Sequence, residues 1–393
     1  VSLRVAMISV HTSPGAAPGA GDVGGMNVVI RQLSRELARL GSAVEILTRR
    51  TDPEAPASIE LDPGVRLRHL DAGPAEVLPK SAHEALVPEF AKALGALPAY
   101  DLVHAHHWYS GVAAQAAAAA WGAPLVQSLH SIAAAPHTPL SAGERPESPG
   151  RLAAEEALAS QADALHAVSA AERDIIVDRL GASRGRVTVI PPGVDTRQFH
   201  PGRAARPGAD YLLMAARLEP LKGADLAIET LARIDPALVG ELIISGGATS
   251  GFDDYVAGLH QLVADRGVAE RVRFVGARDR DELARLMAGA RLFLNPSHSE
   301  TYGLTVLEAS ASGVPVVAAA AGGLVEAVRH GETGLVLHHR DPQLWADAVT
   351  GLLRDPAEAR RVAEGGLVHA RRHTWALMAE RTLAAYRGLL QRS

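Results

Sequence analysis

Short β-branched runs alternate with longer helical stretches along this chain, and the alternation breaks once, at Pro191-Pro192-Gly193. Continuous apolar strands separated by helices specify parallel sheets covered on both faces, the doubly wound α/β arrangement. In the first half the spacing predicts strands at Arg4–Val10, Ala43–Thr48, Val65–Leu70, Leu102–Ala105, Leu125–Leu129, Leu165–Val168 and Val187–Ile190. Helical stretches fall between them at Asn27–Leu40, His83–Leu94, Ser110–Ala120, Leu152–Gln161 and Ala170–Leu180. After the prolines and a polar stretch to Gly208, the pattern restarts with strands at Tyr211–Ala216, Leu242–Ser245, Val272–Val275, Leu292–Leu294 and Pro315–Ala318. A length of 393 residues exceeds one ordinary core. The expected organisation is therefore two Rossmann-like domains, 1–200 and 205–372, facing across a cleft, with a last helix at 373–393 crossing back to the first. Ligands on such sheets bind beyond the strand C-termini.

Composition narrows the function by exclusion. A net charge of −5, with 21% charged residues and no Lys/Arg block, offers no nucleic-acid or anionic-membrane footprint. The absence of cysteine removes disulfides and thiolate metal sites. The first apolar run, Val5–Val10, is too short for a signal core or a membrane span. The expectation is a cytoplasmic enzyme without an integral membrane segment; a homodimer is compatible with this composition.

Gly19-Ala20-Gly21-Asp22-Val23-Gly24 spells the dinucleotide fingerprint GxGxxG, with Glu45 downstream. In a dehydrogenase those glycines follow the strand at once, whereas His11–Pro18 intervenes here. The better reading is a glycine-rich loop before a helix starting near Asn27, where Gly24 and Gly25 let a diphosphate or sugar approach the backbone.

The second half carries the stronger signal. Arg217 follows a strand and Lys222, one of three lysines, opens a helix. A guanidinium fork and a mobile ammonium suit a pyrophosphate with about two negative charges; the weaker alternative for the pair alone is a solvated arginine and a helix-start lysine. In Glu300-Thr301-Tyr302-Gly303-Leu304-Thr305-Val306-Leu307-Glu308, two carboxylates flank a glycine turn that opens a helix. Backbone N–H groups from Tyr302 to Thr305 would face an anion there. Glu300 can accept from sugar hydroxyls, and Glu308, expected about two turns in on an apolar face, from a ribose diol. Asp279-Arg280-Asp281 mimics an Asp-x-Asp metal motif, but Asp279 reads as a helix N-cap. His104, His106 and His107 lack an acidic partner at ligand spacing. No metal and no cofactor beyond a nucleotide-sugar cosubstrate are expected.

Arg-x4-Lys followed by Glu-x7-Glu, with Gly-Gly in the first domain, resembles glycosyltransferase family 4 within the GT-B fold, over essentially the whole chain. The resemblance implies Arg217 and Lys222 on the donor diphosphate, Glu300 on the donor sugar, Glu308 on the ribose and Arg278 near the base. It also implies that His130 stands beside the sugar's 6-hydroxyl and the reacting bond. Ser9-Val10-His11-Thr12-Ser13-Pro14 and Gly21–Val28 look like the inositol-phosphate branch of that family, which uses UDP-GlcNAc. On that likeness Lys80 and Arg151 occupy acceptor-phosphate positions, Ser131 replaces a threonine, His107 replaces a tyrosine, and Asn27 lies on the acceptor side. The implied partners are a nucleotide sugar and a small polyhydroxylated acceptor. Relatives that glycosylate unphosphorylated aminocyclitols, a sugar-nucleotide epimerase, a polymer-extending synthase and a non-catalytic nucleotide-sugar binder are the alternatives. The loop Ile132–Gly150, with four prolines, reads as an acceptor loop or lid, or equally as a variable surface loop.

Overall fold

In the computed structural model of the protein, residues 2–16, 23–135, 147–203, 210–249 and 251–392 are described. The fingerprint glycines Gly19 and Gly21, most of the Ile132–Gly150 loop, and residues 204–209 around Gly208 lie outside them. The first sheet comprises β1 (Arg4–Ser9), β2 (Ala43–Arg49), β3 (Ser58–Asp62), β4 (Val65–Leu70), β5 (Leu102–His106), β6 (Leu125–Ser128), β7 (Ala164–Ala167) and β8 (Val187–Val189), in the order β3-β4-β2-β1-β5-β6-β7-β8. Its helices are α1 (Gly25–Arg39), α2 (Val87–Gly95), α3 (Trp108–Trp121), α4 (Pro149–Gln161) and α5 (Ala170–Asp178). The second sheet, β11-β10-β9-β12-β13-β14, uses β9 (Tyr211–Ala215), β10 (Glu241–Ser245), β11 (Val272–Gly276), β12 (Leu292–Asn295), β13 (Val316–Ala319) and β14 (Leu335–Leu337). Around it lie α6 (Ala224–Leu231), α7 (Asp253–Asp265), α8 (Arg280–Gly289), α9 (Leu304–Ala311), α10 (Leu324–Ala327), α11 (Pro342–Arg354) and α12 (Pro356–Ala370), and α13 (Trp375–Leu390) ends the chain.

Every strand pair is parallel except β3–β4. That antiparallel edge strand went unforeseen because Ser58–Asp62 is mostly exposed and lacks an apolar run. The central strands behave as parallel strands must: Val5, Ala6, Met7 and Ile8 are fully buried. Alanine-rich α3 lies close on the first sheet; a Cβ at Gly111 would stand 2.1 Å from the Gln127 side chain.

The two halves are joined twice at one place. The Val194 N–H donates to the His373 carbonyl at 2.9 Å, so outgoing and returning segments are hydrogen-bonded side by side. A Cβ on Gly193 would meet the Trp375 backbone nitrogen at 2.2 Å, so glycine is required at this crossing. From there α13 packs Trp375, Met378, Leu383 and Tyr386 into the core that α1 shares with β1 and β2. The Tyr386 hydroxyl reaches His104 Nδ1 at 2.6 Å inside the first sheet.

This contact makes the last helix part of the first domain's core. Tyr386→Phe would leave a buried ring nitrogen unpartnered and should cost about 1–3 kcal/mol, whereas Tyr386→Ala should cost about 3–5 kcal/mol through the cavity it leaves. Urea unfolding followed by tryptophan fluorescence checks the order; equal stability of all three proteins would contradict it.

Candidate functional site

On the second domain, Arg217 lies just past β9 and donates to Glu219 at 3.0 Å. Lys222 closes a 3-10 turn (Pro220–Lys222) ahead of α6, and its ammonium donates to Glu300 at 2.7 Å. Gly223, at φ +70°, lets that turn sit against the β12 loop: a Cβ there would be 2.3 Å from the Pro296 carbonyl oxygen. The Glu300–Thr301 loop rests on Gly322 and Gly323, whose hypothetical Cβ atoms would fall 2.2 Å from the Glu300 oxygen and 2.0 Å from the Thr301 oxygen. Tyr302 is buried, Gly303 caps α9 at φ +101°, and Leu304 and Thr305 form its first turn.

Glu308 lies one turn into α9, not two, because the helix starts only at Leu304. It is 2% exposed, and Arg280 donates to its Oε1 at 2.6 Å. Its Oε2 is buried without a hydrogen-bond partner among the described residues. Burial raises the Glu308 pKa, and Arg280 opposes that rise. Arg278 turns instead toward Glu282, at 3.8 Å. Asp279 caps α8, accepting the Glu282 N–H at 2.7 Å, and Asp281 pairs with Arg203. The Asp-x-Asp motif is thus occupied by capping and an ion pair.

On the first domain, α1 begins at Gly25 rather than near Asn27, with Gly24 as its N-cap. The missing side chain matters at Gly25, whereas Gly24 has room for one at ordinary contact distance. A Cβ on Gly24 would lie 3.6 Å from Arg217 Nε, and one on Gly25 3.1 Å from the Leu304 side chain. The glycine pair therefore meets the diphosphate-side candidates across the cleft. Asn27 is buried behind it; its Oδ1 accepts from the Thr12 hydroxyl at 3.1 Å, and its Nδ2 has no partner among the described residues.

Four of the acceptor residues expected from sequence, Lys80, His107, Ser131 and Arg151, form one group, and Asn27 lies outside it. Arg151 is 3% exposed and donates to Glu155 (2.7 Å), Glu147 (2.6 Å), and both the hydroxyl and carbonyl of Ser131 (3.0 Å each). His107 caps α3 at φ +70°, and both its ring nitrogens are buried without partners among the described residues. Its ring centroid is 4.4 Å from that of His11. Burial, then the neighbouring charges of Lys80, Arg217 and Arg151, drive the His11 pKa well down. Burial and then His11, Lys80 and Arg151 do the same to His107. Both imidazoles are neutral beside cations. His11 was missed as a site residue; the available signal was its place directly beyond the first strand, as with His130.

His130 connects the two groups. Its backbone is left-handed at φ +61°, uncommon for a non-glycine residue. The Thr301 hydroxyl of the second domain donates to its carbonyl at 3.0 Å, and its Nε2 is hydrogen-bonded to His106 Nδ1 at 2.8 Å. Burial pulls its pKa down to about 4, so the ring is neutral near pH 7. Glu172, whose carboxylate accepts the Val168 N–H at 2.7 Å, has its pKa raised to about 7 by burial, against the lowering effect of the Val168 and His130 backbone. Across the cleft, Glu326 accepts the first N–H groups of α5, from Ala170 (2.9 Å) and Ala171 (3.1 Å). No cluster of three metal-ligating side chains occurs among the described residues, nor any helix long and apolar enough to cross a membrane.

Residues 24–193 match the glycosyl transferase 4-like domain, and residues 195–367 match glycosyl transferases group 1. The chain is 39% identical to a D-inositol 3-phosphate glycosyltransferase of Stackebrandtia nassauensis, over 99% of this chain and 92% of that one. The chain belongs to the family 4 glycosyltransferases. A second D-inositol 3-phosphate glycosyltransferase, from Frankia alni, is 40% identical over 97% of this chain and 98% of its own length. Sucrose-phosphate synthase from Thermosynechococcus elongatus superposes with a TM-score of 0.92 at 30% identity, both chains covered completely. The fold is the GT-B arrangement of two Rossmann-like domains.

Arg280, unassigned from sequence, is what makes a buried Glu308 tolerable in this glycosyltransferase. Arg280→Ala should cost about 3–5 kcal/mol at pH 7 by stranding the carboxylate. A buried acid with a raised pKa stabilises the fold below its unfolded pKa and loses that contribution as pH rises through its folded value. The deficit should therefore shrink toward pH 4.5, where Glu308 can protonate. Urea melts at both pH values test this, and a pH-independent deficit would contradict it.

Proposed function

We propose that this glycosyltransferase moves N-acetylglucosamine from UDP-GlcNAc to inositol phosphate with retention at the anomeric carbon. The observation that carries the proposal is the convergence of Lys80, Arg151, Ser131, His107 and His11 next to His130, opposite Arg217, with Lys222 paired to Glu300 beside the Thr301 that bonds His130. One cationic group faces the donor diphosphate and another the acceptor phosphate, with the reacting bond between them. The printed names of the D-inositol 3-phosphate glycosyltransferases support the same acceptor.

In this scheme the donor diphosphate takes Lys222 from Glu300 and lies against Arg217 and the Gly24–Gly25 backbone. Glu300 turns to the sugar hydroxyls, and the free Oε2 of Glu308 accepts from the ribose. Tyr302, Gly303, Leu304 and Thr305 supply helix-start N–H groups, and Arg278 borders the base. The acceptor hydroxyl attacks the anomeric carbon on the face from which the diphosphate leaves. The C1–O bond to phosphate breaks as the new C1–O bond forms, and the hydroxyl proton passes to the departing phosphate oxygen. Catalysis is then stabilisation of charge on the leaving group plus alignment of two substrates. The nucleotide sugar is the only cosubstrate the scheme invokes.

A second reading keeps the donor and replaces inositol phosphate with an unphosphorylated aminocyclitol. It is favoured by Arg151, whose guanidinium is already held by Glu147 and Glu155. Mass spectrometry after incubation with UDP-GlcNAc and inositol phosphate separates the two. A GlcNAc–inositol-phosphate adduct is expected, falling at least about 10²-fold in rate for Arg217→Ala and Lys222→Ala if each group supplies about 3 kcal/mol. Adduct only with unphosphorylated aminocyclitols would establish the second reading, and undiminished turnover in both variants would overturn the donor assignment.

A further inference from the structure

We propose that His106 is a positioning residue that fixes His130 in the Nδ1-protonated tautomer, with that N–H presented to the reacting groups. The proposal rests on the placement of His130 beside the transferred sugar and names what orients it.

The tautomers follow from hydrogen-bond accounting along a buried row of side chains. Ser128 Oγ donates its proton to the His166 carbonyl at 3.2 Å. It can therefore only accept from His104 Nε2, 2.9 Å away. His104 then carries its proton on Nε2, and its Nδ1 accepts from the Tyr386 hydroxyl at 2.6 Å. His104 is thus fixed from both sides. Its neighbour His106 is fully buried, with ring centroids 4.2 Å apart, and has one hydrogen bond among the described residues, from Nδ1 to His130 Nε2. His106 Nε2 is buried without a partner.

Burial holds both His106 and His130 neutral, so one nitrogen of the 2.8 Å contact donates and the other accepts. If His130 donated, His106 would carry its proton on Nε2, a buried N–H with nothing to receive it. An orphaned buried donor is the rarer and costlier arrangement. His106 therefore donates from Nδ1, and His130 keeps its own proton on Nδ1. That nitrogen has no hydrogen bond among the described residues. A donor there can meet a sugar hydroxyl or an anionic phosphate oxygen, whereas a bare ring nitrogen would face the phosphate lone pair to lone pair.

The geometry around His130 fits a residue held rather than merely packed. Its carbonyl is bound by Thr301, its ring meets that of His106 with centroids 5.1 Å apart and 29° between planes, and its backbone sits in the left-handed region. Each restraint removes a freedom that the side chain would otherwise use to leave the cleft.

The test is the protonation state of the His130 ring, read by 15N NMR on histidine-labelled full-length protein and assigned with His130→Gln. Nδ1–H is expected in the parent protein and a shift toward Nε2–H in His106→Phe, which keeps the bulk and removes the donor. In turnover, His106→Phe should lose about 10- to 100-fold in kcat with the donor KM changed less than threefold. His106→Gln, whose amide can donate, should recover most of that loss. An Nε2–H tautomer in the parent protein would overturn the inference, as would an unchanged tautomer and kcat in His106→Phe. The NMR result requires no product, so it decides the inference even where the adduct assay fails and the acceptor reading falls with it.

Discussion

Parallel pairing brings the C-terminal ends of neighbouring strands to one edge of a sheet, and the rest of this molecule's chemistry is arranged on that edge. His11 lies just beyond β1, His107 beyond β5, His130 beyond β6, Arg217 beyond β9, Arg278 beyond β11 and Glu300 beyond β12. The helices that follow point their N-terminal N–H groups the same way, as α1 does from Gly25 and α9 from Leu304. Two such edges turned toward each other produce a cleft lined by loop residues that rigid strands hold in place.

Specific contacts hold the cleft. Thr301 binds the His130 carbonyl, Glu326 holds the start of α5, and Gly25 lets α1 approach Leu304 closely. The chain crosses between the halves at Val194 and His373, which are bonded to each other. Charge is balanced in the same region. Lys222 rests on Glu300 and Arg217 on Glu219, so neither cation is buried alone. The imidazoles beside them stay neutral because burial and neighbouring cations both disfavour protonation.

The fold was largely legible because buried parallel strands require continuous apolar runs, and those runs stand out between helices. Exceptions were short or exposed pieces: β3 at the edge, the three-residue β14, and the first turn of α3, which begins at Trp108 after an unusual left-handed His107. Lys222 and Glu300 were named separately from their motifs, and they touch. Ser131 and Arg151 came only from the family likeness, and they touch too. Contacts between distant residues without a motif were invisible. Nothing local links His104 to Tyr386, 282 positions away, or Arg280 to Glu308, and His106 gave no sign of its bond to His130. Such pairs are set by sheet order and helix placement, which no single stretch of sequence encodes.

Arg217 and Lys222 are proposed to face a donor diphosphate at this edge. A crystal structure with UDP bound tests it most directly. The diphosphate is expected within hydrogen-bond reach of the Arg217 guanidinium and Lys222 Nζ, with the Lys222–Glu300 pair opened. UDP bound with that pair intact and its phosphates away from both cations would contradict it.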